Sequence, residues 1–302
     1  MKLLRAIARR VPYAPHLLRT LWRRATAARP ARKTLWLHVG AHKTGTTAIQ
    51  RELVQERHGL LAQGVWFDAA SIEFGEILSE RSPLGEDLKR ESAAMLERAR
   101  RRPEDTILWS SEFFFGDPER GYRNIAAVAE DLREVTSEFD VRVIACVRRQ
   151  DAFIESWYHQ HLKRGGCDAF APFLARVGAD VFRWDELLDA YATRFASLRV
   201  ISFDEVRAQK KRLIAALFPG LWLRAEDYGY FNPGFSQRAL EIALHCAPLL
   251  DLPGRKRLRD ALMTAFPRQP GEKSGLFSDA ERASLLDRYA ESNRRLAERF
   301  LR

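Results

Sequence analysis

Residues 34–50 constrain this chain more than any other stretch. An apolar run, 34–39, reads as a short buried strand. It passes into a loop holding Gly40, Lys43 and Gly45, then into Thr46, Thr47 and a helical pattern carried by Ala48, Ile49, Leu53 and Val54. Strand, glycine loop and helix start, in that order, collect an anion. The first N–H groups of the helix have no internal partner, the helix dipole favours negative charge there, and Lys43 adds a full positive charge. Two hydroxyls follow at once. The plain alternative is a lysine-bearing turn that only starts a helix.

The order of residues excludes one anion binder. A nucleotide-hydrolysing P-loop reads Gly-x-x-x-x-Gly-Lys-Ser/Thr, with lysine after the second glycine. Here Lys43 lies between Gly40 and Gly45, and Thr46 stands where that lysine would be. The later strand-like runs end in Ser110-Ser111-Glu112 and Val147-Arg148-Arg149. Neither is an apolar strand closed by aspartate, as a magnesium-holding Walker B strand would be.

A second segment carries a second anion signal. The run 141–147 is another buried-strand pattern, and Arg148 at its end is followed eight residues later by Ser156, then Trp157 and Tyr158. Arginine suits a terminal phosphate because its planar fork donates in pairs. Arg149 is the neighbouring candidate, one residue out of register.

Together the two segments resemble the sulfotransferase superfamily, which uses 3′-phosphoadenosine 5′-phosphosulfate (PAPS). In that family a loop of the type Pro-Lys-Ser/Thr-Gly-Thr-Thr binds the 5′-phosphosulfate, and His42-Lys43-Thr44-Gly45-Thr46-Thr47 is similar to it. The family's 3′-phosphate motif is a strand-end arginine with a serine eight residues on, matched by Arg148 and Ser156. The resemblance covers residues 33 to about 206 and implies PAPS as sulfuryl donor, held by Lys43, Thr44, Gly45, Thr46, Thr47, Arg148 and Ser156. It also implies a glutamate base of the kind found in sulfotransferases that act on sugars or proteins. Glu112, at the end of the 106–111 run, matches that position, and Lys43 would steady the leaving phosphate. By the same analogy, the acceptor is a carbohydrate or glycolipid hydroxyl. No metal is expected. A nucleotide-dependent kinase and a non-catalytic, membrane-associated nucleotide-binding module are the competing classes. His42, His159 and His161 are the next bases after Glu112.

Charge is unevenly spread. Of the 50 Lys and Arg residues, ten lie in residues 1–33, which hold no acid; the other 40 balance 40 Asp and Glu. The body is therefore not a nucleic-acid-binding surface, and only the arm is basic. Its leucines, Ile7, Val11 and Trp22 alternate with arginines, and Pro12 and Pro15 divide it into two short amphipathic helices. Three readings of the arm stand: an anchor on an anionic membrane surface, a disordered tail, or a packed N-terminal helix. Cys146, Cys167 and Cys246 show no metal-ligand spacing and point to a reducing compartment. The expected location is cytoplasmic, peripheral at the membrane face if the arm binds lipid.

Alternating helices and strands predict an α/β fold, doubly wound about a central parallel sheet, from 34 to 302 with a helical part from 234. Strands are expected at 34–39, 64–68, 106–110, 141–147 and 198–203. Helices are expected at 45–58, 84–101, 124–137, 151–163, 168–177 and 183–196. Residues 69–85, with Gly75, Pro83 and Gly85, read as a loop-rich excursion near the site, and Pro253-Gly254 as a break in the C-terminal helices.

Overall fold

The computed structural model of the chain describes residues 13–26, 30–178, 180–209, 212–223, 234–269, 271–272 and 275–301. Five strands, β1 (Thr34–Gly40), β2 (Val65–Phe67), β3 (Thr106–Ser110), β4 (Asp140–Val147) and β5 (Leu198–Ser202), form a sheet in the order β2-β3-β1-β4-β5. Every pairing is parallel. The pleat sends alternate side chains to opposite faces, and both faces are covered. Leu35, Leu37, Val39, Ile107, Val143 and Ala145 pack into one core, while Leu108, Ile144 and Cys146 pack into another with Ile49, Leu53 and Ile214. Strands buried on two sides need continuous apolar runs, which is why they were visible in the sequence. The expected α/β architecture, a parallel central sheet flanked by helices, is met.

The order places β1 between β3 and β4, so the connections from β1 and β3 leave in opposite directions across the sheet. The crevice beyond the carboxyl ends at such a reversal is where open α/β sheets bind ligands. Gly40 pairs with Cys146 and His38 with Ser110. The glycine loop, Glu112 and Arg148 therefore emerge side by side.

Residues 71–81 correct one expectation. They form a helix, Ser71–Arg81, and not a loop. Gly75 sits in it because nothing larger fits: a Cβ there would lie 2.3 Å from Ser111 Oγ. Ser71 Oγ accepts from the Ser110 amide at 2.9 Å, and Ser111 Oγ donates to Ile72 O at 3.2 Å. The helix thus clamps the segment that carries Glu112. Expected helix 45–58 divides at Glu56 into Thr46–Gln55 and Arg57–Ala62. Pro253 and Gly254 do not break a helix but start one, Leu252–Ala265, with Asp251 accepting from the Gly254 amide at 2.8 Å.

The N-terminal helix Ala14–Thr26 packs on its inner face, the third of the three readings. Thr20 Oγ1 donates to Ala62 O at 2.8 Å, the Tyr13 hydroxyl donates to Glu56, and the His16 ring stacks on Trp222 at 5.1 Å. On its outer face Leu17, Leu18, Leu21 and Trp22 are exposed. The arm's first expected helix, within residues 1–12, lies outside the described residues. Among these, no helix is long and apolar enough to cross a membrane. The C-terminal helices are tied back onto the helix Gln150–Lys163, where Arg282 bonds Asp151 and Glu155 and Asn293 accepts from Gln150 at 2.8 Å.

Candidate functional site

The loop after β1 has two left-handed residues, Lys43 (φ 67°) and Gly45 (φ 81°). Gly45 precedes the helix Thr46–Gln55, and a Cβ on it would be strained by the positive φ and would stand tight, 3.1 Å from Leu213 and 3.2 Å from Phe203. None of the amides of residues 43–47 donates to a backbone acceptor among the described residues. N–H groups without backbone acceptors at a helix start can receive an anion.

The side chains of the loop divide. Lys43, Thr46 and Thr47 line a cavity of about 200 Å³, and the Thr46 hydroxyl is buried with no partner among the described residues. Thr44 departs from expectation: its side chain is fully buried and its hydroxyl donates inward to Ala41 O at 2.6 Å. Its hydroxyl braces the loop, and what it offers a ligand is its amide.

Arg148, Ser156 and Glu112 line the same cavity. Arg148 Nη1 donates to Lys43 O at 3.0 Å, and its guanidinium lies 5.2 Å from the Phe203 ring centre. Arg149 turns away, with Nε and Nη2 on Asp151 at 2.6 and 2.8 Å and its amide on Asp204 at 2.7 Å. The strand-end arginine that faces the cleft is Arg148. Glu112 opens a four-residue 3₁₀ turn, Glu112–Phe115, but does not cap it. Ser111 takes that part by accepting from the Phe113 amide at 3.3 Å. The Glu112 carboxylate is instead held by Gln50 Nε2 at 3.4 Å, itself anchored on Ser110 O at 3.2 Å.

Three further groups complete the wall and were not singled out from sequence: Gln160, Arg164 and Arg207. Gln160 lies one helical turn past Ser156 and accepts from Lys43 Nζ at 3.3 Å, a spacing that could have marked it. Arg164 and Arg207 converge only through the fold. A second cavity of about 620 Å³ shares Lys43, Arg148, Ser156, Gln160 and Arg207 with the first, so the two form one cleft.

No protein-family model matches the chain, and no curated protein matches it. The chemistry must be read from the cleft itself. Burial first, then Arg148 and Arg164, push the Lys43 ammonium down to about 8, and Glu112 opposes them. Cations crowded this way are stabilised by an anion brought among them. Cys146, beneath the loop, is fully buried and its thiol is pushed up to about 12 by burial, so it is inert.

His42 and His159 are buried beside cations. The Tyr122 hydroxyl accepts from the His42 amide at 3.2 Å and meets His42 Nδ1 at 3.3 Å. Burial, with Arg164 and Lys43, pushes His42 down to about 3. His159 is held likewise, at about 3, by burial and the charges of Arg268, Lys163 and Lys43. His161 lines neither cavity and meets Asp168 at 3.0 Å. Among the described residues, no group of three or more His, Cys, Asp and Glu is placed to hold a metal ion.

Proposed function

We propose that the protein is a sulfotransferase that moves the sulfuryl group of PAPS to the hydroxyl of a carbohydrate or glycolipid. The observation that carries this reading is the convergence of Lys43, Thr46, Thr47, Glu112, Arg148 and Ser156 on one cavity wall, from three separate strand ends. The donor is charged at two places, and the cleft offers two sets of anion-binding groups. The 43–47 amides, Lys43 and the threonine hydroxyls receive the 5′-phosphosulfate; Arg148 and Ser156 receive the 3′-phosphate.

Transfer forms a bond from the acceptor oxygen to sulfur and breaks the bond from sulfur to the bridging phosphate oxygen. The Glu112 carboxylate, oriented by Gln50, takes the acceptor's proton. The leaving bisphosphate departs with the bond's electron pair, and Lys43 steadies the charge that grows on its 5′-phosphate. Gln160 accepts from the Lys43 ammonium and keeps it aimed into the cleft.

The test uses PAPS labelled in its sulfate, and ATP labelled in its terminal phosphate, with saccharide and glycolipid acceptors. Label passes to acceptor from PAPS with wild type and not with Lys43→Ala. Transfer from ATP instead would make the protein a kinase and end this reading.

A further inference from the structure

The larger cavity is walled by five cations, Lys43, Arg148, Lys163, Arg207 and Arg268, against two carboxylates. Both carboxylates are already engaged. Glu155 accepts from Arg282 at 2.7 Å, and the oxygens of Glu272 accept from the Gln237 and Gln269 amides at 2.7 and 2.9 Å. Burial first, then Lys43, Arg259 and Arg268, push the Lys163 ammonium down to about 8.

His159 completes the group. It is 3% exposed and lines the same cavity. Its Nδ1 accepts from the Phe235 amide at 3.2 Å, which puts the ring proton on Nε2, a buried atom with no partner among the described residues. A buried donor left unmatched is costly, so the site is built to receive an oxygen. Gly234 allows the approach: a Cβ there would lie 2.7 Å from Arg268 Nη1 and 3.2 Å from His159 Cγ.

The group begins at His159, one helical turn past Ser156, and extends away from the pair assigned to the 3′-phosphate. Lys163 is seven residues beyond Ser156 on one helix, about 10 Å along its axis. Lys43, at the reacting end of the cleft in the sulfotransferase reading, lines the same cavity as His159 and Lys163.

We propose that His159, Lys163 and Arg268 bind a carboxylate or phosphate carried by the acceptor, so that the substrate is an acidic carbohydrate whose own charge positions the hydroxyl to be sulfated. The word acceptor rests on the sulfotransferase reading; the anion site does not.

The test is calorimetric titration of inorganic phosphate into the full chain saturated with adenosine 3′,5′-bisphosphate, which fills the donor sites. Saturable binding above a chloride control is expected. Loss of a hydrogen bond to a charged group should weaken it roughly ten- to a hundredfold in Lys163→Met and His159→Phe, while Lys163→Arg retains it. Bisphosphate affinity measured without phosphate should be unchanged in all three variants. A fall in that affinity would assign these residues to the donor and overturn the proposal, as would absence of phosphate binding in wild type. If the bisphosphate does not bind at all, the sulfotransferase reading falls, and phosphate titrated into the nucleotide-free chain still decides the anion site through the same variants.

Discussion

Replacing Lys43 with methionine should stabilise the fold while removing activity. Burial and the neighbouring arginines hold the ammonium at about 8 against an ordinary 10.5, a displacement worth about 3 kcal/mol against the charged form. The variant loses the 3.3 Å contact with Gln160, worth about 1 kcal/mol. The lysine is also only partly sealed from water, so the net gain near neutral pH is about 1–2 kcal/mol. At about 2.1 cal/mol/K of unfolding entropy per residue, 302 residues turn that into about 2–3 °C in Tm. The sign with pH follows from the depressed value. The native lysine sheds its proton near 8 and the unfolded one near 10.5, so wild type gains stability as pH rises through that window. The variant's advantage is full below about pH 8 and gone above about 10.5. Thermal denaturation of both proteins at about pH 7 and about pH 10 reads this directly. Methionine that destabilises near neutrality, or an offset that ignores pH, would refute the argument that this lysine is held under strain for an anion.

Glu112→Gln keeps the shape and the reach of the carboxylate but cannot take a proton. Turnover should fall about 10²–10⁴-fold with donor affinity unchanged; full turnover would remove Glu112 as the base. Arg148→Ala and Ser156→Ala should each raise KM for PAPS, and the double variant should lose less than the two losses summed, because both meet one phosphate. Strict additivity would mean they do not share it. On the N-terminal helix, Leu21→Ser with Trp22→Ser should abolish sedimentation with anionic vesicles and leave turnover and Tm intact. These two side chains are 50% and 72% exposed beside an arm of ten positive charges, each worth about 1 kcal/mol near such a surface. Unchanged vesicle binding would leave the exposed face without that role.

Long-range geometry separates what was legible in the sequence from what was not. β1, β3 and β4 were legible because strands buried on both faces must be apolar throughout, and the Lys43 loop because its chemistry is local. The spacing to Ser156 put Arg148 ahead of Arg149 in the sequence, and Asp151 and Asp204 hold the second away from the cleft. The helix Ser71–Arg81 was missed because Gly75 reads as a breaker, whereas the fold needs glycine there to admit Ser111. Thr44 looked like its neighbours, and its inward bond to Ala41 O is invisible in a motif. Arg268 and His159 are over a hundred residues apart, so no local pattern could bring them together.

The claim of a PAPS site is tested most directly by titrating the protein with adenosine 3′,5′-bisphosphate and with ATP by calorimetry, in wild type and Arg148→Ala. Selective binding of the bisphosphate by wild type, with that preference lost in Arg148→Ala, is the expected result. Tighter binding of ATP, or a preference for the bisphosphate that survives loss of Arg148, would contradict it.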